Sequence, residues 1–158
     1  MNIDILNYLD KDSVLLGLKQ RSKKTILSMI LDHLVQKKKI DKDDKNEILK
    51  VIIKREEMGS TAIGNHIALP HARLDSIKDI VICIAISKDG LDFDSLDQEP
   101  VNVVAMLLSN KKEAGLHLKM LAFLARMLRD KYLVQSLKNS KAEDEVVALL
   151  SKQQQILK

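Results

Sequence analysis

Apolar residues recur along this chain with two different periods, and the first of them is helical. Ile26, Leu27, Ile30, Leu31, Leu34 and Val35 form one stripe behind Ser22, a residue type that caps helix N-termini. Lys37, Lys38 and Lys39 fall in the predicted last turn, where cations suit the negative end of a helix. A second helix is predicted from about Asp41, with Asp43 and Asp44 in its first turn. Its stripe is Ile48, Leu49, Ile52 and Ile53, and Gly59 is its natural stop. Ahead of both helices, residues 13–18 are a short apolar run that reads as a first or edge strand.

Beyond Gly59 the texture changes. Gly59, Gly64 and Pro70 punctuate a loop with two β-prone stretches, at 61–63 and 67–69. The run "IVICIAIS" (80–87) is apolar on both faces, which predicts a central strand covered by helices, and "VNVVAMLLS" (101–109) predicts a second. Between them, "KDGLDFDS" carries an Asp-Gly turn with alternating Leu91 and Phe93, a hairpin signal. The helical period returns in "EAGLHLKMLAFLARMLRD", where Leu118, Leu121, Ala122, Ala125 and Leu128 mark one face. His117, Leu121, Leu124 and Leu128 make an overlapping row. Finally "SKAE" (140–143) reads as a capping box opening a helix through Val146, Val147, Leu149 and Leu150. The pattern predicts a single α/β domain over 1–158, its core at about 13–150, with a mixed sheet flanked by helices on both sides.

Composition narrows the function classes. With 158 residues, 46% of them hydrophobic, the chain can bury a core and is not of the disordered class. No apolar run is long enough to span a bilayer, and the acidic start lacks a signal-peptide layout, so a cytoplasmic protein without direct membrane insertion is expected. Cys83 is the single cysteine, which rules out an intrachain disulfide and a four-cysteine zinc site. Lys and Arg exceed Asp and Glu by 26 to 22, but the basic residues are scattered and Tyr8, Phe93, Phe123 and Tyr132 are dispersed. No nucleic-acid partner is therefore expected.

The candidate chemistry rests on four histidines. His33 lies beside the apolar stripe of the first helix and reads as structural. His66 follows Gly64 and Asn65 in the loop, where its exposure is not legible. His71 follows Pro70, whose fixed φ and restriction of Leu69 make the entry to the imidazole conformationally narrow. His117 falls in the first turn of the long helix, where free N–H groups favour anions and a neutral ring. Zinc would need three or four convergent ligands, which His66, His71 and His117 with an Asp supply in principle, but none shows the i,i+4 helical pairing of a metal motif; a serine hydrolase would need a G-x-S-x-G elbow that is absent. Phosphoryl transfer through a nucleophilic histidine needs less: a neutral ring nitrogen, an arginine and nearby donors.

The segment "REEMGSTAIGNHIALPHAR" (55–73), followed at a distance by "HLKMLAFLARMLRD" (117–130), closely resembles the type-2 IIA domains of the bacterial phosphoenolpyruvate-dependent sugar phosphotransferase system. These are the fructose/mannitol-type domains and their nitrogen-regulatory relatives. The resemblance implies a phosphoryl carrier that uses a phosphohistidine and needs no cofactor or metal. In this likeness His71 accepts the phosphoryl group from a histidine phosphocarrier protein and passes it to a cysteine of a IIB component. The second histidine of the pattern falls on His117, a hydrogen-bond partner of the phosphoryl group or of the His71 ring. The arginine falls on Arg55, which offsets phosphoryl charge. Ser60, Thr61 and Asn65 supply neutral donors or hold the loop. Two positions depart from relatives: Asn65 stands where mannitol-type members carry glutamate, and His66 where many others carry glycine. Within the family the alternative is a regulator that binds a target protein according to its phosphorylation state. Outside it, the rival is a metal- or nucleic-acid-binding module.

Overall fold

A computed structural model describes residues 3–158; Met1 and Asn2, part of the domain read over 1–158, lie outside the described residues. The strands are β1 (Val14–Leu15), β2 (Ile67–Ala68), β3 (His71–Arg73), β4 (Val81–Leu91) and β5 (Val101–Ser109). The helices are α1 (Lys23–Gln36), α2 (Lys45–Glu57), α3 (Ala114–Met127), α4 (Lys131–Lys138) and α5 (Glu143–Ile156). The sheet runs β1-β4-β5-β2, with β3 following β2 along the same edge of β5. Only the β4–β5 pair is antiparallel; β1 on β4, and β2 and β3 on β5, are parallel. The sheet is therefore mixed, as the pattern predicts.

Every residue of β5 is buried, and its alternation divides the core in two. Val104, Met106 and Leu108 join Ala68, Ala72 and the stripes of α1 and α2. Val103, Ala105 and Leu107 face Ile67, Leu69 and the apolar sides of α3, α4 and α5. Burial of one such aliphatic side chain contributes about 2 kcal/mol, so both layers are held firmly against the sheet. Ile5 and Leu9 are buried in the second layer, where the Ile5 N–H donates to Gln154 Oε1 at 2.5 Å.

Ser22 caps α1, accepting the Thr25 N–H. The helix ends at Gln36, so Lys37 is its C-cap and Lys38 turns to φ 59°. Asp41 caps a short 3-10 turn that leads into α2, and Gly59 follows its end with φ 149°.

Four local expectations are corrected. The stretch 61–63 forms no strand: the Thr61 and Ala62 carbonyls accept the N–H groups of Leu69 and Leu96, while Glu56 takes the Thr61 N–H. Asp89 and Gly90 are not a turn but lie inside β4, at a bulge where Ile86 pairs with Val103 and Leu91 with Val101. Gly90 sits at φ 92°, and a Cβ there would stand 2.7 Å from Pro100 Cβ, so only glycine fits. At 140–143 no capping box forms, because the Ser140 hydroxyl donates back to the Ser136 carbonyl. Glu143, Asp144 and Glu145 in the first turn of α5 complement the helix dipole instead. Helix α4 lies between the long helix and 140–143, where none was predicted. Asp130 caps it through the Tyr132 and Leu133 N–H groups, and it buries Leu133, Val134 and Leu137.

Candidate functional site

The sheet edge holds the site because Pro70 breaks it. Lacking an N–H, Pro70 separates β2 from β3, yet its carbonyl accepts the Leu107 N–H at 3.0 Å and keeps the edge attached. The chain then enters β3 with His71 as its first residue, half-buried. His71 Nδ1 lies 2.8 Å from the Leu69 carbonyl oxygen, which can only accept, so Nδ1 carries the ring hydrogen. That leaves Nε2 with an unprotonated lone pair in the neutral ring.

His117 reaches the same place from the first turn of α3, its N–H bonded to the Glu113 carbonyl. The two rings have centroids 5.5 Å apart and are tilted by 56°. His117 is buried, and its Nδ1 lies 2.5 Å from the hydroxyl of Ser109, the fully buried last residue of β5. Burial first, then the neighbouring His71 and Arg73, push the His117 pKa down from 6.5 to about 4. The ring is thus neutral across the physiological range.

A cavity of about 370 Å³ opens beside His71. Arg55 and Thr61 line it together with apolar Ile63, Leu69, Leu118 and Leu121. Arg55, in the last turn of α2, donates to the Gly59 carbonyl at 2.7 Å and forms no ion pair among the described residues. The apolar face of α3 that the sequence marks is divided. Leu118 and Ala122 are exposed, while His117, Met120, Leu124 and Met127 carry the packing.

The loop that carries Thr61 is fixed by a residue the sequence reading passed over. Glu56 is buried, and its carboxylate accepts the Thr61 N–H at 3.2 Å, the Thr61 hydroxyl, and Lys23 Nζ at 3.0 Å. Lys23 also lies 4.8 Å over the Phe93 ring. Ser60 donates its hydroxyl to the Phe93 carbonyl at 2.8 Å and accepts the Ala62 N–H. Ser60 therefore holds the loop. Thr61 does so as well, while also lining the cavity. Ser109 too was missed, since a serine at the end of an apolar strand carries no local signal.

Asn65 and His66 lie elsewhere. Asn65, at φ 55°, donates its amide to the Leu128 and Arg129 carbonyls at 2.7 and 3.1 Å, closing the C-terminal end of α3. His66, at φ 63°, has Nδ1 2.8 Å from the Pro100 carbonyl and lines a separate cleft with Asn102, Lys131 and Tyr132. His33 is structural, with Nε2 2.9 Å from the Asp12 carbonyl. No group of three or more His, Cys, Asp or Glu suited to a metal ion occurs among the described residues. Nor is any helix among them long and apolar enough to cross a membrane. Burial pushes the Cys83 thiol up to about 12, which removes it as a nucleophile.

The model of the family "Phosphoenolpyruvate-dependent sugar phosphotransferase system, EIIA 2" matches residues 7–153, and the chain belongs to that family. A nitrogen regulatory protein of Bradyrhizobium diazoefficiens is 29% identical over 147 residues, which are 93% of this chain and 94% of the relative. The crystal structure of nitrogen regulatory protein IIA-Ntr from Neisseria meningitidis superposes with a TM-score of 0.83 at 26% identity, covering 92% of this chain and 98% of that one. Enzyme IIAMTL of Escherichia coli, solved in complex with phosphorylated enzyme IIBMTL, has a TM-score of 0.77 at 20% identity and shares the fold. It is matched over 91% of this chain and 97% of its own. The chain is thus a phosphotransferase-system IIA component, with likenesses in both the nitrogen-regulatory and the sugar branch.

Proposed function

We propose that this chain carries a phosphoryl group on Nε2 of His71. The observation that supports this most is the bond between His71 Nδ1–H and the Leu69 carbonyl, which leaves Nε2 as a free base beside a cavity that Arg55 lines. A histidine phosphocarrier protein brings the phosphoryl group into that cavity in the cytoplasm. The donor's N–P bond breaks as the Nε2–P bond forms, and no proton needs to leave His71. Arg55 exchanges the Gly59 carbonyl for phosphoryl oxygens, a stronger charge-assisted contact. When the Ser109 hydroxyl donates to His117 Nδ1, the single hydrogen of that neutral ring sits on Nε2, ready to donate to the phosphoryl group.

In onward transfer the Nε2–P bond breaks and an S–P bond forms on a cysteine of a IIB component, the kind of partner seen with the Escherichia coli fold relative. Apolar Ile63 and Leu118, 55% and 66% exposed beside His71, give either partner a dry surface to cover. The likeness to nitrogen regulatory proteins supports a second reading, in which phospho-His71 changes the binding of a target protein.

Incubation with phosphoenolpyruvate, the first enzyme of the system and the phosphocarrier, followed by intact mass measurement, tests the carrier reading. One acid-labile, base-stable phosphoryl group is expected, and none in His71→Ala. Full labelling of that variant would move the acceptor elsewhere. Release of the group to a panel of IIB domains separates transport from regulation.

A further inference from the structure

Arg73 stands on the same face of β3 as His71. The pleat sends Ala72 into the layer of α1 and α2, so the residues on either side of it project toward α3. Two residues of strand separate their Cα atoms by about 6.6 Å. The register places Arg73 beside Ser109 on β5, and Ser109 is the residue that holds His117. Arg73 is exposed, and its guanidinium forms no ion pair among the described residues. Its charge is nonetheless felt at His117, since it is one of the groups that keep that ring from taking a proton.

Arg73 has no anionic partner at this place among the described residues. It gains a partner when a doubly charged phosphoryl group arrives. Arg55 comes to His71 from α2 and the loop after it, whereas Arg73 comes along β3 itself. We propose that Arg73 is a second phosphoryl-binding residue, whose guanidinium takes oxygens of the group on His71 while His117 and Arg55 take others. This rests on the reading of His71 as the acceptor. Arg73 moves no proton in the step; it offsets charge while the N–P bond is made and broken.

Labelling with two donors tests this assignment: phosphoramidate, a small donor that docks on no protein surface, and the phosphorylated carrier protein. Arg73→Gln is expected to slow labelling about tenfold with both donors, and Arg73→Lys, which keeps the charge without the planar fork, to fall between it and the unmodified protein. A loss confined to the carrier protein would make Arg73 a docking residue and overturn the proposal, as would unchanged rates with both donors. His71→Ala runs in parallel. Label persisting in that variant would instead remove the acceptor on which the proposal stands, whatever Arg73→Gln does.

Discussion

Ser109 holds His117: the hydroxyl at the end of β5 lies 2.5 Å from the imidazole Nδ1, both groups being buried. This contact sets which nitrogen of His117 points away from the sheet, and it ties the start of α3 to the strand that carries β3. Replacing Ser109 by alanine leaves a buried ring nitrogen without a partner. A loss of about 1–3 kcal/mol in urea denaturation is expected, together with slower transfer from His71 to an acceptor. A Ser109→Ala protein with unchanged transfer would show that the tautomer of His117 is irrelevant.

The depressed pKa of His117 links stability to pH. The unfolded chain takes up a proton near pH 6.5 and the folded one only near 4, so the unfolded state binds more protons between those values. Stability is therefore at its full value above pH 6.5, falls as pH drops toward 4, and stops falling on this account below that. The contribution is on the order of a few kcal/mol. His117→Gln should flatten the decline between pH 6.5 and 5, a window above the lowered carboxyl values of Asp4, Asp10 and Asp97. Urea midpoints measured at half-unit steps read this directly.

Glu56 is a buried carboxylate that serves two elements at once, α1 through Lys23 and the loop through Thr61. Glu56→Gln keeps the shape and removes the charge. A loss of about 2 kcal/mol is expected, less than for a fully buried pair because the Lys23 side chain keeps 18% exposure. Hydrogen exchange at the Thr61 amide should accelerate more than exchange in β5.

Leu118 is apolar and 66% exposed beside His71. Leu118→Glu should leave the melting temperature nearly unchanged, since surface substitutions stay within about 0.5 kcal/mol. It should raise KM for the phosphorylated carrier about tenfold, the scale of a peripheral interface residue. A variant with unchanged KM would mean that the carrier docks on another face.

Parts of this arrangement are legible in the sequence, and the reasons are local. Helix α1 is read correctly because its cap, Ser22, and its stripe lie within one segment. The narrow entry to His71 likewise follows from Pro70. The turn at Asp89-Gly90 is misread because the dipeptide usually reverses a chain. What makes it a bulge is Pro100, ten residues on in sequence and 2.7 Å from where a Cβ would be. The exposure of Leu118 and Ala122 is not legible from the stripe, because an apolar stripe facing solvent has the same spacing as one facing a sheet. The pairs Ser109–His117 and Glu56–Lys23 join separate elements, and no periodicity brings them together. Asn65 adjoins the conspicuous loop histidine in sequence, yet its amide serves the far end of α3.

The central claim is that Nε2 of His71 is the nucleophile because Nδ1 is committed to the Leu69 carbonyl. Long-range nitrogen–proton correlation spectra of the protein, before and after phosphorylation, test it most directly. The account predicts a His71 ring protonated at Nδ1 in both states, with phosphorus coupled to Nε2 in the second. Phosphorus coupled to Nδ1, or to a nitrogen of any other histidine, would contradict it.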